Sequence, residues 1–185
     1  MMSLQGTLIH LRALEPEDID FLYRTENDKD VWQVSHTQTP FSKYLLQQYL
    51  DNSHLDIYQA KQLRLVIAKN DDRQPVGMID LFDFDPANSR AGIGIVVSDG
   101  GRGNGYGTEA LALLIPYAFG VLNLHQLYAN IGTENIPSLK LFSKFGFREA
   151  GIKKEWNRSG GKYLDEALYQ LINHQLGTGE PAQDL

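Results

Sequence analysis

The 185-residue sequence contains no cysteine. It therefore forms no disulfide bond, has no thiolate nucleophile and offers no cysteine-based metal site. It also lacks an apolar run that approaches the length of a transmembrane helix. Its first residues have neither the basic start nor the long apolar segment of a signal peptide. Together these absences predict a cytoplasmic protein with no membrane partner.

An excess of positive charge is absent as well. The chain carries 17 Lys and Arg against 23 Asp and Glu, a formal net charge of −6, which argues against a nucleic-acid partner and suits a cationic substrate better. The histidines share no metal-ligand spacing, and we predict no metal site: they are His10, His36, His54, His125 and His174. Ser42 and Ser138 have no paired His and Asp signature of a serine nucleophile.

Glycine is concentrated in one stretch, with five glycines between positions 100 and 107. A β-branched run from Ile93 to Val97 predicts a strand before this stretch, and a helix is predicted to begin near Tyr106. Glycine lets backbone N–H groups turn inward, and a helix N-terminus gathers unpaired N–H donors at its positive end. The stretch therefore predicts an anion site suited to phosphate, with the guanidinium of Arg102 beside it.

The common nucleotide fingerprints do not fit this loop. No lysine follows the glycines, so it is not a P-loop, and Tyr106 and Thr108 stand where G-x-G-x-x-G would need its third glycine. The pattern present is Arg102-x-x-Gly105-x-Gly107 between a strand and a helix. This pattern resembles the acetyl-CoA pyrophosphate loop of the GNAT N-acetyltransferase superfamily. A glycine-rich turn without a ligand is the alternative.

Hydrophobic periodicity predicts elements in the order β-α-α-β-β-β-α-β-α-β-β. The predicted strands are residues 7–14, 63–69, 76–84, 89–97, 125–131, 147–156 and 163–172. The predicted helices begin at residues 15–18, Ser42, Tyr106 and Asn135. The third is expected to kink or end early near Pro116, and the fourth to end at a left-handed cap on Gly146. Residues 31–40 are predicted to be irregular.

This order, with the glycine loop after the fourth strand, is that of the GNAT fold. The resemblance implies an α+β (α/β) architecture, a mixed and mostly antiparallel sheet of about seven strands flanked by about four helices. We predict a single domain over residues 1–176 and a disordered polar tail over residues 177–185.

A second stretch, residues 133–147, resembles the family helix N-x-x-[SA]-x-x-[LV]-[YF]-x-[KR]-x-G-F. In it Asn135 would cap the helix, Gly146 would end it and Phe147 would begin a core strand. Over roughly residues 7–174 the chain is similar to bacterial spermidine N-acetyltransferases and ribosomal-protein alanine N-acetyltransferases. The resemblance rests also on residues 11–18, 117–125 and 161–165, and it implies acyl transfer from acetyl-CoA to a primary amine.

The resemblance also implies which residues bind the cofactor. The strand before the loop would expose backbone groups of Ile95 and Val97 to the pantetheine arm, and Asn135, with Ser138 and Phe142 nearby, would contact the same arm. The pyrophosphate would be bound by the loop residues Arg102, Gly103, Asn104, Gly105, Tyr106, Gly107 and Thr108.

Acetyl transfer to an amine needs a base, because an ammonium has no lone pair, and it needs N–H donors for the oxyanion. The backbone N–H of Val97 is the predicted donor. Many family members carry a tyrosine as the acid where this chain has Phe142, which has no proton to donate. Water, another hydroxyl or unassisted departure of the thiolate are the alternatives. Tyr128 is the hydroxyl we name, against its interpretation as a packed strand tyrosine.

Asp80 and Asp83 are the candidate bases, since they fall where spermidine acetyltransferases carry acids on the third strand. Strand alternation places them on opposite faces, so at most one is expected to face the cleft. The alternative is that both are solvated acids near a turn. We keep both as catalytic candidates.

The identity of the acceptor stays open between two amines. Acidic residues at positions 26, 28 and 30 would attract a polycation, which favours a polyamine such as spermidine. Thr37, Gln38 and Gly92 stand where relatives carry acids, which weighs against spermidine and keeps a peptide N-terminus as the alternative. A non-catalytic acyl-CoA-binding protein on the same fold is the hypothesis from a different class. Self-association into a homo-oligomer is also left open.

Overall fold

The computed structural model describes residues 3–35, 37–52 and 55–174. Its strands are β1 (Ile9–Arg12), β2 (Leu63–Lys69), β3 (Pro75–Asp85), β4 (Arg90–Val97), β5 (Gln126–Gly132), β6 (Arg148–Ser159) and β7 (Lys162–Ile172). Its α-helices are α1 (Ile19–Glu26), α2 (Lys29–Ser35), α3 (Lys43–Asp51), α4 (Ile57–Ala60), α5 (Tyr106–Gly120) and α6 (Ile136–Lys144). His36, His54 and the tail predicted at residues 177–185 lie outside the described residues.

The strands form one seven-stranded sheet in the order β1-β2-β3-β4-β5-β7-β6. Neighbouring strands are antiparallel except β4 and β5, which are parallel. The prediction of a mixed, mostly antiparallel sheet of seven strands is confirmed. The described residues form six α-helices rather than about four, because the short helices α2 and α4 were not predicted. None of the helices described is long and apolar enough to cross a bilayer.

The sheet separates two apolar clusters, because successive strand residues point to opposite faces. On one face Leu65, Ile79 and Ile93 pack with α5, whose Leu111 and Leu114 are fully buried. Each such leucine contributes about 1.5–3 kcal/mol of transfer free energy on burial. The other face carries the α1 and α3 helices on a smaller cluster: Leu14, Phe21, Leu22, Leu46, Leu50, Val66, Ala68 and Met78.

One helix prediction is wrong, and one of the two alternatives given for another helix is excluded. Residues 31–40 were expected to be irregular, but α2 occupies Lys29–Ser35 because Asp28 acts as its cap, its carboxylate accepting from the N–H of Asp30 at 2.8 Å. Helix α5 does not end early at Pro116 and continues to Gly120. Pro116 removes one backbone hydrogen bond, while buried Leu114 and Ala118 hold the helix to the sheet on either side of it.

Strand β1 is shorter than the predicted 7–14 for a local reason. The carboxylate of Glu109, in the first turn of α5, accepts the backbone N–H groups of Thr7, Leu8 and Ile9 at 2.7–2.8 Å. These donors are thus satisfied by a side chain rather than by a neighbouring strand. The contact also fixes the beginning of α5 against the edge of the sheet, close to the glycine loop.

Candidate active site

The parallel strands β4 and β5 separate after a short contact. They pair over only three positions, from Arg90 opposite Gln126 to Gly92 opposite Tyr128. Strand β4 continues to Val97 and β5 to Gly132, yet no described strand lies between them beyond this point. The sheet therefore opens into a wedge-shaped gap in which one edge of β4 is unpaired.

The backbone of β4 offers hydrogen-bonding groups to this gap. Ser98 donates its N–H to the carbonyl of Val76 on β3 at 2.9 Å, and residues along an antiparallel pair alternate between bonded and non-bonded positions. The alternation makes Ile95 and Val97 non-bonded positions with respect to β3. Their N–H and C=O groups consequently face the β5 side, where the strands have parted.

The glycine loop lies at the open end of the gap. A 3-10 turn at Asp99–Gly101 follows β4, and Gly103 and Gly105 then take left-handed φ angles of 80° and 83°. Helix α5 begins at Tyr106, and no described side chain caps its N-terminus. Unpaired N–H groups and the positive end of the helix dipole are thus presented together, which is the chemistry of an anion site.

The first turn of α5 packs closely on β4 and α6. A Cβ atom at Gly107 would lie 3.6 Å from the Cδ1 of Ile95 and 3.7 Å from the Cγ2 of Val97, with Leu141 of α6 also at 3.6 Å. Helix α6 starts directly after β5, capped by Asn135, whose side-chain oxygen accepts the N–H of Ser138 at 3.2 Å. The predicted Asn135 cap is confirmed, and so is the left-handed Gly146 after the helix, with φ 86°.

Two candidate catalytic residues meet at the vertex of the gap. Tyr128, the β5 residue of the last β4–β5 pair, donates its hydroxyl hydrogen to the Asp83 carboxylate at 3.3 Å. Asp83 has a left-handed φ of 47° at a bulge between Phe82 and Asp85. Non-glycine residues are strained in that conformation, and such strain concentrates at functional sites. Burial raises the pKa of Tyr128 and the nearby Asp83 carboxylate raises it further, so the phenol stays protonated at neutral pH.

Residues 9–148 match the sequence model of the Acetyltransferase (GNAT) domain, which is more than half of the chain. The chain belongs to the GNAT acetyltransferase family. It is therefore an N-acetyltransferase with acetyl-CoA as its cosubstrate, as the two motifs predicted. This GNAT enzyme is 27% identical over 179 residues to the uncharacterized N-acetyltransferase p20 of Bacillus licheniformis, covering 95% of this chain and 98% of the relative.

Spermidine acetyltransferases are also similar to this GNAT enzyme. The spermidine N(1)-acetyltransferase of Escherichia coli K12 is 26% identical over 167 residues, covering 90% of this chain and 87% of the relative. The crystal structure of spermidine N-acetyltransferase from Vibrio cholerae in complex with CoA and spermine aligns with a TM-score of 0.83 at 23% identity, covering 94% of this chain and all of that one. The structural similarity confirms the GNAT fold.

Arg102, predicted beside the pyrophosphate, is engaged in the GNAT loop itself. Its Nη1 lies 2.7 Å from a carboxylate oxygen of Asp99 and 3.5 Å from one of Asp30 on α2. Its Nε donates to the carbonyl of Val97 at 3.3 Å. The guanidinium therefore fastens the loop to the end of β4 and to α2, and its side chain remains half-exposed.

Phe142, at the position where many family members carry a tyrosine, is a core residue. Its ring is only 3% exposed and contacts the ring of Phe147 edge-on, with centroids 5.1 Å apart. A ring buried to this extent has little surface for a ligand. The hydroxyl that stands at the gap belongs instead to Tyr128, on the opposite side of β5 from the buried Leu127 and Ala129.

Asp80 is held by an arginine that the sequence analysis missed. The Nε and Nη2 of Arg64 donate to the two carboxylate oxygens of Asp80 at 2.8 and 2.9 Å, and its Nη1 donates to Glu26 at 2.6 Å. Burial alone would lower the pKa of Arg64, but the Asp80 and Glu26 carboxylates raise it above its usual value. One signal could have revealed it: Arg64 is a charged residue within the otherwise apolar run from Leu63 to Ala68.

The prediction that Asp80 and Asp83 lie on opposite faces fails at the bulge. Asp80 and Phe82 alternate regularly with the buried Ile79 and Leu81. The bulge after Phe82 breaks this alternation and lets Asp83 reach Tyr128. Both side chains thus lie on the side of the sheet that carries α1 and α3. Asp80 forms an ion pair there, and Asp83 accepts a hydrogen bond from a phenol.

A pocket of about 220 Å³ adjoins the same end of β4 from the α1 and α2 side. Arg24, Asp28, Val97 and Arg102 are among its lining residues. The three acids predicted to attract a polycation already have partners. Glu26 pairs with Arg64, the carboxylate of Asp30 faces Arg102, and that of Asp28 accepts the N–H of Asp30.

Proposed function

We propose that the gap between β4 and β5 binds acetyl-CoA and that the enzyme acetylates a primary amine delivered from the α1 and α3 side of the sheet. The observation that supports this most is the separation of the two strands directly after Gly92 and Tyr128. It leaves an unpaired backbone edge that leads from Tyr128 to the uncapped N-terminus of α5. A chain-like ligand with a phosphate end matches both features.

The residues at the gap fit this ligand. The N–H and C=O groups of Ile95 and the N–H of Val97 would hold the pantetheine amides, with Asn135 and Ser138 on the opposite wall. The anionic pyrophosphate would accept hydrogen bonds from the N–H groups of the loop, whose members are Gly103, Asn104, Gly105, Tyr106, Gly107 and Thr108. Arg102 would keep this loop in place through Asp99 and Val97. Acetyl-CoA supplies the activated acetyl group.

Asp83 is the base that the geometry supports. Its carboxylate would accept the proton that the ammonium must lose, whereas the Asp80 carboxylate is occupied by two hydrogen bonds from Arg64. Val97, the oxyanion donor predicted from the sequence, lies at the loop end of β4, five residues beyond Gly92, so its N–H would contact the pantetheine arm. The acyl oxygen would accept from a β4 N–H nearer the vertex. Tyr128 remains protonated, so it orients Asp83 and is the hydroxyl able to donate a proton where Phe142 has none. In this assignment Asp80 is the ion-pair partner of Arg64 and not a base.

The acceptor is a primary amine, and its finer identity belongs to this proposal. The name of the Escherichia coli relative suggests a polyamine such as spermidine. The pairing of Glu26 and Asp80 with Arg64 suits an amine with one cationic group instead, and a peptide N-terminus is an alternative of that kind. The cellular setting proposed is the cytoplasm. Self-association into a homo-oligomer stays a prediction, and light scattering of the purified protein would test it by measuring the molar mass in solution.

Release of the CoA thiol from acetyl-CoA, followed with a chromogenic disulfide, tests the function. The chain has no cysteine, so the protein adds no thiol signal. We expect saturable turnover with at least one member of a panel of monoamines, polyamines and peptides that begin with serine or alanine. Acetyl-CoA binding without turnover of any amine would contradict the proposal and favour a non-catalytic acyl-CoA-binding protein.

A further inference from the structure

Arg64 lies where β2 faces α1, and it uses its whole guanidinium on two acids. Asp80 is its cross-strand partner on β3, and Glu26 reaches it from the last residue of α1. The Nε, Nη1 and Nη2 atoms each donate to a carboxylate oxygen. The three side chains are 12–21% exposed, so this arginine and its acids form a largely buried cluster.

An aromatic ring closes the cluster towards the helices. The Arg64 guanidinium lies 5.5 Å from the centroid of the Tyr49 ring, which comes from α3. To bind Asp80 or Glu26, an ammonium group would have to displace the Arg64 guanidinium, which makes a bidentate contact with Asp80 and lies over the Tyr49 ring. Such displacement is unfavourable, because breaking a buried ion pair leaves a charge without compensation.

The cluster borders the surface where the acceptor would lie. Asp80 stands opposite Gly94 on β4, only two residues beyond Gly92 at the vertex of the gap. An amine that reaches Asp83 at the vertex and extends along β4 would therefore pass Asp80. Farther along β4 it would meet the pocket that Arg24 and Arg102 line. A second positive charge on the acceptor would therefore first meet the two acids paired with Arg64. It would then meet a pocket in which Asp28, whose carboxylate already accepts the N–H of Asp30, lies among two arginines.

We infer that Arg64 determines acceptor specificity by neutralising Glu26 and Asp80, so that the enzyme selects a primary amine with one cationic group over a polycation. The inference rests on the proposed function, and it names the substrate class of that site. Asp83 is the acid left to receive the single ammonium. Glu26 and Asp80 lie where they could bind the second ammonium of a polyamine, but both are paired with Arg64 instead.

The test compares n-butylamine, a monoamine, with spermidine, which contains the same aminobutyl end. For the wild-type enzyme we expect kcat/KM for n-butylamine to equal or exceed that for spermidine. Arg64→Gln should raise the spermidine-to-butylamine ratio about tenfold, because it frees two carboxylates for a second ammonium. A wild-type preference for spermidine, or an unchanged ratio in Arg64→Gln, would overturn the inference.

Two further variants separate specificity from folding. Arg64→Lys keeps a cation between the acids and should retain the wild-type ratio, so a shift as large as that of Arg64→Gln would count against the inference. Lys43→Gln removes a cation from an exposed pair with Asp20 on the same side of the sheet and should leave the ratio unchanged. Circular dichroism establishes whether each variant is folded. If Arg64→Gln does not fold, the spermidine-to-butylamine ratio of the wild-type enzyme tests the inference by itself.

Calorimetry separates failure of the inference from failure of the function. Spermine is titrated into the CoA-loaded wild-type and Arg64→Gln proteins, which needs no turnover. We expect binding to be about tenfold tighter in the variant. If no amine is acetylated, the proposed function fails, but the comparison of spermine affinity between the two proteins still tests the role of Arg64. Equal spermine affinity in the two proteins would overturn the role of Arg64 even if acetylation is observed.

Discussion

Tyr128 of β5 donates a hydrogen bond to Asp83 of β3 across β4, at the level where β4 carries Gly92. The absence of a side chain at Gly92 makes this contact feasible. The Phe82 ring fills the space instead and contacts the Tyr128 ring edge-on, with centroids 5.9 Å apart. A strained aspartate, a packed phenylalanine and a protonated tyrosine are thus assembled at the vertex of the proposed cofactor gap.

Gly92→Ala should disturb this assembly. A Cβ there would lie 2.3 Å from the Cε2 of Phe82, so the ring must move. We expect a loss of about 1–3 kcal/mol in the free energy of unfolding, measured by urea denaturation. Gly94→Ala is the matched control, since its Cβ would meet Phe82 at an ordinary 3.6 Å and should change stability by less than about 0.5 kcal/mol. Equal effects of the two substitutions would refute the packing argument.

Asp83→Asn should remove the base. We expect kcat to fall by about 10²–10⁴ with acetyl-CoA affinity unchanged, because the side chain is predicted to act on the amine and not on the cofactor. Steady-state thiol release and calorimetry measure the two quantities. Asp72→Asn, on the turn between β2 and β3, is the control and should keep full activity. Wild-type kcat in Asp83→Asn would remove this residue from the mechanism.

Tyr128→Phe tests the hydroxyl at the same vertex. The ring contact with Phe82 would persist, but the hydrogen bond to Asp83 would be lost. We expect kcat to fall about tenfold to a hundredfold, with the free energy of unfolding changed by about 1 kcal/mol. Rate measurements beside urea denaturation distinguish the two effects. A variant that lost stability but kept wild-type kcat would show Tyr128 to be a packing residue only.

Gly105→Ala should weaken acetyl-CoA binding about tenfold, because a left-handed φ is strained by about 1–2 kcal/mol in a residue with a Cβ and the loop N–H groups would turn away. Gly161→Ala provides the control: its φ is 80°, close to the 83° of Gly105, and it lies in the turn between β6 and β7. Both variants should lose stability. Calorimetry should show weaker acetyl-CoA binding for Gly105→Ala alone, and a parallel loss in both would contradict the loop assignment.

The pair of Asp18 with Arg12 should make stability depend on pH. Burial raises the pKa of Asp18, but hydrogen bonds from Arg12 and from the N–H of Glu15 outweigh it and lower the pKa below its usual value. Stability from a lowered carboxyl pKa is present above the unfolded value and lost as pH falls through the folded value. Asp18→Asn should therefore cost about 1–3 kcal/mol at pH 7, and the difference should shrink below about pH 4. A pH-independent difference in urea denaturation would contradict this.

Local signals made much of the fold predictable. Ser42 and Asn135 cap their helices as predicted, because each offers a side-chain oxygen to an N–H three residues on. The two-residue turn Gly160–Gly161 and the left-handed Gly146 also follow from residue type. These features depend on neighbours within a few residues, which a sequence displays directly.

Features that depend on strand register were not predictable in the same way. Arg64 and Asp80 are 16 residues apart, and only the pairing of β2 with β3 brings them together. The bulge at Asp83 reverses an argument from regular alternation. Arg102 was predicted as a cation beside the pyrophosphate, and its contact with Asp30 was not predicted because the position of Asp30 on α2 was unknown. In each case a contact between distant segments overrides the local pattern.

Amide hydrogen exchange with and without acetyl-CoA tests the central claim, that the gap between β4 and β5 binds the cofactor. The N–H groups of Ile95 and Val97 face away from β3, and those of the first turn of α5 are uncapped. The account predicts that acetyl-CoA slows exchange at residues 95–97 and 103–108, while the turn at residues 160–161 is unaffected. Binding without slower exchange at these positions, or with protection confined to another part of the sheet, would contradict it.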